Sequence, residues 1–326
     1  MKLKVLVTGA GAVLGQGIIR ALQNSSINLH IVSVDPNPYS AGLYWTDSNA
    51  IVPFANDPSY RESIRKLLAL ERPDALLVGT DTELPLFANF REELEQDYAV
   101  KVIVSSSNVV DIANDKYRTY EFLRAAHFDY PESCLIGGQD KLIEKVGFPV
   151  IVKPRVGARS VGVSVVRNRE ELEHAIAGRS DQIIQECVGT DHQEYTASAL
   201  VFDGRCLATI VMRRDLRDGN TYRAYVDEFP ELNRIVSDLG TALNPFGPAN
   251  FQFRLDAAGK VKVFEINARF SGTTPLRALA GFNEVEMCLR HVLMGEPVVP
   301  PFIQKMIILR HWSETVVRPA QILKTP

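Results

Sequence analysis

The stretch from Gly247 to Ser271, GPANFQFRLDAAGKVKVFEINARFS, constrains the fold most, because two runs of strand composition, Ala249–Leu255 and Val261–Asn267, flank a short turn, Ala257-Ala258-Gly259-Lys260. The simplest antiparallel register pairs Asp256 with Val261 and so sets Gln252 opposite Glu265. Alternate strand residues share a face, so Glu265, Asn267 and, if the strand continues that far, Arg269 point one way, with Gln252 across the ladder, while Ile266 and Ala268 point the other. One face then offers a carboxylate, two amide oxygens and a guanidinium. Hard oxygen donors of this kind suit Mg²⁺, and an arginine beyond them can offset charge that develops in phosphoryl transfer. The pattern equally suits an ordinary solvated hairpin face, and spacing alone leaves both readings open.

At 326 residues the chain has room for roughly two domains of about 150 residues each. With 46% hydrophobic and 23% charged residues it should bury a sizeable core. A formal charge of −3 lacks the basic footprint of general nucleic-acid binding, and no run approaches the length of a membrane span. Cys134, Cys187, Cys206 and Cys288 stand far apart with no C-x-x-C pair. That spacing suggests neither a zinc site nor a disulfide framework, and it fits a reducing, cytoplasmic setting. The opening MKLKVLVTGAGAVLG has lysines before an apolar run, but its threonine and glycines break the run, so it reads as a buried strand and turn rather than a signal peptide.

Residues 1–105 alternate strand-like runs, Lys4–Val7, Leu29–Val34, Ala75–Val78 and Val102–Val104, with helical patterns such as Tyr60–Leu70 and Glu83–Glu95. This is the pattern of a doubly wound parallel sheet covered on both faces. The first turn, Gly9-Ala10-Gly11-Ala12-Val13-Leu14-Gly15, follows a strand and opens a helix, and Asp35 ends the second strand, so a dinucleotide site is one reading and a ligand-free tight turn the other. A short-chain reductase would also need Tyr-x-x-x-Lys, which the chain lacks. In Gly79-Thr80-Asp81-Thr82-Glu83, just after a strand, Asp81 or Glu83 reads as a helix cap or as a substrate contact. A helical region over Asn108–Ala126 contains Asp115-Lys116, and a composition shift around Pro131, Gly137 and Gly138 follows; the domain boundary falls near residue 112.

Next comes Phe148-Pro149-Val150-Ile151-Val152-Lys153-Pro154, a strand ending in a lysine, then the loop Arg155–Gly162 with Ser160 inside it, then a strand over Val163–Val166. Backbone N–H groups and a hydroxyl beside a lysine can cradle a triphosphate, although the same residues make an ordinary basic hairpin. The strand Gln182–Glu186 runs into Cys187-Val188-Gly189, with Glu194 eight residues after Glu186. An exposed backbone edge with two spaced acids suits an adenine edge and a ribose, or simply a wet strand end.

With these blocks in this order, the chain resembles the ATP-grasp enzymes, on the branch that includes one half of the carbamoyl phosphate synthetase large subunit and the amino-acid ligases. The resemblance runs from about residue 3 to about residue 297. It implies an α/β chain with a Rossmann-like pre-ATP-grasp domain over 1–112, followed by an ATP-grasp fold whose small lid subdomain spans 113–190 and whose large subdomain spans 191–326. It further implies that Lys116 and Lys153 contact ATP phosphates under the loop of Ser160 and Gly162. Glu186 and the backbone of Cys187 and Val188 would meet adenine, and Glu194 the ribose. Gln252, Glu265 and Asn267 would hold Mg²⁺ or Mn²⁺, with Arg269 and Lys153 as catalytic residues. Arg159 in the phosphate loop and Ala268 in Asn-Ala-Arg depart from the glycine and proline common in relatives.

The implied reaction is attack of a carboxylate on the γ-phosphate of ATP, then displacement of phosphate by an amine or another nucleophile. Arg214, Thr221, Ser271 and Asp81 are the candidate substrate contacts. Expected partners are a small carboxylate and an amine, with neither nucleic acid nor membrane, and a homodimer is left open. The rivals are a carboxylate or carbamate kinase, an NAD(P)-dependent reductase built on the first domain, and a silent nucleotide-binding module. No functional reading attaches to the segment after Gly295, where Lys305–Trp312 has strand composition.

Overall fold

The computed structural model describes residues 2–157 and 161–324. The first third is an α/β unit. Strands β1 (Leu3–Val7), β2 (Leu29–Asp35), β3 (Ser48–Ile51), β4 (Ala75–Leu77) and β5 (Lys101–Ile103) form a parallel sheet in the order β3-β2-β1-β4-β5. Helices α1 (Val13–Gln23), α2 (Tyr60–Glu71) and α3 (Leu84–Tyr98) connect them. The edge strand β3 went unrecognised because its four residues, Ser-Asn-Ala-Ile, are half-exposed and carry no apolar run. Strand order reverses between β1 and β4, the place where open α/β sheets collect ligands.

The region expected as one helix divides at Asp115 into α4 (Ser107–Asn114) and α5 (Lys116–Ala125). Asp115 has an extended backbone and accepts a hydrogen bond from Tyr117 N at 2.9 Å, so it caps the second helix rather than continuing the first. Strands β6 (Ser133–Leu135), β7 (Val150–Pro154), β8 (Ser164–Val166) and β9 (Gln182–Glu186) make a small antiparallel sheet in the order β6-β9-β7-β8, backed by α6 (Gln139–Val146) and α7 (Arg169–Ile176).

The last sheet is antiparallel, ordered β14-β13-β10-β11-β12-β15, from β10 (Glu194–Phe202), β11 (Arg205–Arg217), β12 (Asn220–Val226), β13 (Gly247–Leu255), β14 (Val261–Asn267) and β15 (Met306–Leu309). Helices α8 (Pro230–Leu243), α9 (Thr274–Leu279) and α10 (Glu284–Met294) complete it. Among the described residues no helix is long and apolar enough to cross a membrane.

The hairpin register corrects the sequence expectation. Leu255, not Asp256, pairs with Val261, because the loop is Asp256–Lys260, with the Asp256 carboxylate accepting from Ala258 N and Lys260 N at 2.9 Å each. A bulge then leaves Phe264 without a partner between Val263 and Glu265, and the pairing of Gln252 with Glu265 returns.

Apolar burial ties the molecule together unevenly. Val5 and Val7 of β1 share one core with Ile18 and Ile19 of α1, Ile210 and Met212 of β11, and Val285 and Leu289 of α10. The small sheet has its own core around Leu142, Val150, Val152, Leu172 and Ile184. Within the shared body Arg277 and Glu284 form a fully buried ion pair, whose carboxylate also accepts from Ser198 and Thr274. Glu284→Ala should lower the free energy of unfolding by about 3–5 kcal/mol, because it strands a buried guanidinium. Urea denaturation of the variant beside wild type checks this, and a loss under 1 kcal/mol would contradict the role given to the pair.

Candidate active site: two cavities with one shared wall

Two cavities open between the sheets. The smaller, about 200 Å³, is lined by Lys116, Lys153, Glu186, Cys187, Val188, Glu194 and Arg254 among others. The larger, about 680 Å³, is lined by the loops after β1 and β4, with Asp81, Thr221, Asn267, Arg269, Ser271 and Arg310. Lys116, Arg214, Gln252 and Glu265 line both. They form the wall between the cavities.

Three of the four, Arg214, Gln252 and Glu265, belong to one continuous chain of hydrogen bonds. Arg254 Nη2 donates to Asp191 Oδ1 at 2.6 Å and to Glu194 Oε2 at 2.7 Å. The other oxygen of Glu194, a residue only 4% exposed, accepts from Arg214 Nη2 at 2.7 Å. Arg214 Nη2 also donates to Gln252 Oε1 at 2.6 Å, and Gln252 Nε2 to Glu265 Oε1 at 3.3 Å. Asn267 Nδ2 donates to the same Glu265 oxygen at 3.0 Å, while Arg269 bridges Asn267 Oδ1 at 2.8 Å and Asp81 Oδ1 at 2.5 Å. The strand alternation read from sequence puts Gln252, Glu265 and Asn267 in this row, with Ile266 buried behind it; β14 ends at Asn267, and Arg269, in the bend that follows, joins the row through its hydrogen bonds to Asn267 and Asp81.

Lys153, next to last in β7, crosses from the small sheet toward this wall. Its ammonium donates to Gln185 Oε1 at 2.8 Å and lies 3.5 Å from the carbonyl of Phe264, the residue freed by the bulge. Burial pushes its pKa down to about 7; Glu265 opposes the shift, and Lys116 and Arg254 add to it. Lys116, the first residue of α5, donates to Gly157 O at 2.8 Å. Glu186 accepts from Glu132 N at 3.0 Å and keeps its place in the cavity lining beside Cys187 and Val188.

Gly162 packs against Pro154 with a left-handed φ of 73° and is not part of the cavity linings. The expectations for Ser160 and for Arg159 lie outside the described residues. Ser271 lines the larger cavity but also serves its own loop, accepting from Thr273 N at 3.2 Å and Arg277 Nη1 at 3.1 Å.

For two residues of the first domain the structure narrows readings that the sequence leaves open. Glu83 precedes α3 but its side chain does not cap it. Instead it is buried and accepts from Thr8 Oγ1 at 2.6 Å, Thr80 Oγ1 at 2.8 Å and the Tyr60 hydroxyl, which pins the β4 loop so that Asp81 reaches Arg269. Asp35, the acid a dinucleotide reading would give to a ribose, accepts instead from Gly11 N at 2.7 Å, Asn37 N at 3.0 Å and Ser40 Oγ at 2.7 Å. The glycine turn is a packing device. A Cβ on Gly15 would sit 2.1 Å from Gly9 O, and one on Gly79 1.9 Å from Thr8 O.

Sequence reasoning missed Arg254, Phe264, Gln185 and Arg310. Gln185 was findable, since it stands beside Glu186 in the Q-E-C-V-G block on a strand already identified.

Three family models match successive parts of the chain. One described as PylC-like, N-terminal domain, matches residues 5–103; a RimK-like ATP-grasp domain matches 113–233; and ATP-grasp in the biosynthetic pathway with Ter operon matches 179–315. The chain belongs to the ATP-grasp superfamily.

Among curated ATP-grasp relatives, the carbamoyl phosphate synthase large chain of Archaeoglobus fulgidus is 24% identical over 337 residues, covering 94% of this chain and 30% of that protein. That of Pasteurella multocida is 23% identical and covers 92% and 31%. This chain therefore spans under a third of the length of those two relatives. Two solved structures share the fold. N5-carboxyaminoimidazole synthetase from Staphylococcus aureus, complexed with ADP, superposes with a TM-score of 0.72 at 15% identity over 95% of this chain and 81% of that one. An L-amino acid ligase from Bacillus licheniformis gives 0.68 at 18% over 91% and 75%.

Lys153 gives this site a pH signature. Between about 7 and 10.5 the unfolded chain holds a proton that the native ammonium has lost, so this group makes stability rise with pH across that window. Lys153→Met removes the term. The unfolding free energy of the variant minus that of wild type should be largest below pH 7 and shrink toward pH 10.5; a difference that stays flat in denaturation series across this range would contradict the buried, neutralised lysine.

Proposed function

We propose that this ATP-grasp protein is an ATP-dependent carboxylate–amine ligase that works through an acyl phosphate. The observation that carries the reading is the wall shared by the two cavities: Lys116, Arg214, Gln252 and Glu265 face both, so a phosphoryl group held in one is presented to a carboxylate in the other.

In this reading ATP takes the smaller cavity, with adenine against Glu186, Cys187 and Val188, ribose near Glu194, and the phosphates between Lys116 and Lys153. Mg²⁺ fits the donor set. Glu265 points a carboxylate at the cavities, its Oε2 has no hydrogen-bond partner among the described residues, and the carbonyl oxygens of Gln252 and Asn267 each keep a second lone pair beside the one that meets an arginine. Mn²⁺ satisfies the same oxygen ligands. A bound cation of this kind neutralises phosphate charge and so eases attack by an anion.

The carboxylate substrate takes the larger cavity, whose wall includes Arg214, Thr221, Ser271 and Asp81. One of its oxygens attacks the γ-phosphorus, the bond from that phosphorus to the β–γ bridging oxygen breaks, and ADP leaves. Lys153 and Lys116 offset the charge on the departing phosphate, and Arg269 that on the transferring phosphoryl group. An amine then attacks the acyl carbon and phosphate departs, the amine losing its proton. None of these steps needs a covalent enzyme intermediate.

Phosphate release from MgATP with pooled amino acids and small carboxylates, followed by mass spectrometry, tests the reading. A condensed product appearing with ADP is the expected result, and no carboxylate-dependent ADP release across the pool would count against it. Glu265→Ala should lower any such turnover by at least ~100-fold while the unfolding transition stays in place; unchanged turnover would remove Glu265 from the site.

A further inference from the structure

Three arginines line the larger cavity, and two of them already have a carboxylate: Arg214 has Glu194 and Arg269 has Asp81. Arg310 has no acidic partner among the described residues. Its guanidinium rests on backbone oxygens alone, with Nη1 3.4 Å from Thr221 O and Nη2 donating to Gly272 O. Its own N–H donates to Tyr222 O at 3.0 Å, which pins the residue where the chain leaves β15 at the sheet edge. A neighbouring charge reinforces the imbalance. Arg20, stacked 4.9 Å from the centroid of the Trp45 ring, is a second cation. Burial, with Arg20 adding to it, pushes the Arg310 guanidinium below the ordinary arginine range. A desolvated cation without a counter-charge is a cost unless an anion comes to it.

The cavity is also too large for the smallest candidate substrate. Its volume of about 680 Å³ is that of an ordinary small-molecule site, whereas bicarbonate has only four heavy atoms. Bidentate donors in a fixed fork suit a carboxylate. We propose that Arg310 binds a carboxylate group of an organic-acid substrate larger than bicarbonate in this cavity. The inference rests on the ligase reading for the reaction, but on the unpartnered arginine for the residue. It gives a function to the C-terminal segment, to which sequence reasoning assigned none.

Calorimetric titration of the full chain, loaded with MgADP, tests it with acetate, succinate, L-glutamate, bicarbonate and inorganic phosphate as probes. At least one organic carboxylate should bind wild type, Arg310→Met should weaken that binding at least ~10-fold, and Arg310→Lys should fall between, with ADP affinity unchanged in both. Equal binding in Arg310→Met, no binding of any organic carboxylate to wild type, or a preference for bicarbonate or phosphate would each overturn the proposal. Phenylglyoxal labelling of wild type, read at the peptide carrying Arg310 by mass spectrometry, covers the case of a variant that does not fold. The bound carboxylate should slow modification and MgADP alone should not; equal rates with and without the carboxylate would overturn the assignment. Arg310-dependent binding without carboxylate-dependent ADP release would leave this inference standing and remove the ligase reading, whereas ADP release indifferent to Arg310 would do the reverse.

Discussion

The site depends on a carboxylate that cannot stand alone. Glu194 is buried in β10, where a carboxylate without partners would be costly, and Arg214 and Arg254 grip one oxygen each. From that clamp the hydrogen bonds run outward through Gln252, Glu265, Asn267 and Arg269 to Asp81. Each member therefore fixes the rotamer of the next, and the row crosses from the last sheet to the first. A row built this way is oriented before any ligand arrives, so it need not reorganise as charge moves, and a low-dielectric wall makes its dipoles count for more than they would in water.

The cores explain how such a wall is kept and how it meets a partner surface. The first and last sheets share apolar burial through α1 and α10, so Asp81 and Arg269 belong to one body even though 188 residues separate them. The small antiparallel sheet is different, because its core is its own. It meets the wall through polar groups: Lys153 against the Phe264 carbonyl, and Arg155 against Asp115. Lys153 and Lys116, whose charges repel, face the same cavity from either side of that junction. An anion between them would relieve the repulsion and draw the small sheet onto the rest, a coupling that an apolar junction could not supply.

Much of this was legible in the sequence where a pattern is local. The alternation in β14 identified Glu265 and Asn267 as neighbours on one face, and the strand–turn–helix order identified the parallel sheet. The pairing of Gln252 with Glu265 was reached by a shorter turn than the real one, and a bulge at Phe264 compensated for the difference. A bulge has no composition of its own, so the strand pattern alone could not reveal it. The readings of Glu83 and Asp35 stayed open for another reason. Each stands where a cap or a ribose acid belongs, and only the fold shows that hydroxyls and backbone N–H groups from distant segments occupy them. Arg310 is the extreme case, since its meaning lies in a missing partner, and a sequence shows which charges exist but not which remain uncompensated.

The first domain shows why a motif and a function separate. Its glycine turn lies at the reversal of strand order, where a dinucleotide would sit, yet the glycines are needed because the backbones of the β1 and β4 loops touch. With Asp35 engaged by that same turn, the crevice offers a shaped, cation-facing wall rather than a ribose acceptor. The fold's usual binding edge is kept, but half of its lining now comes from Asn267, Arg269, Ser271 and Arg310 of the last sheet and its loops. What binds there is accordingly set by the charge that the second body brings. With Arg214 and Arg269 held by acids of their own, the remaining positive charge at that edge is that of Lys116, which belongs to a block read from sequence, and of Arg310, which lies outside every such block.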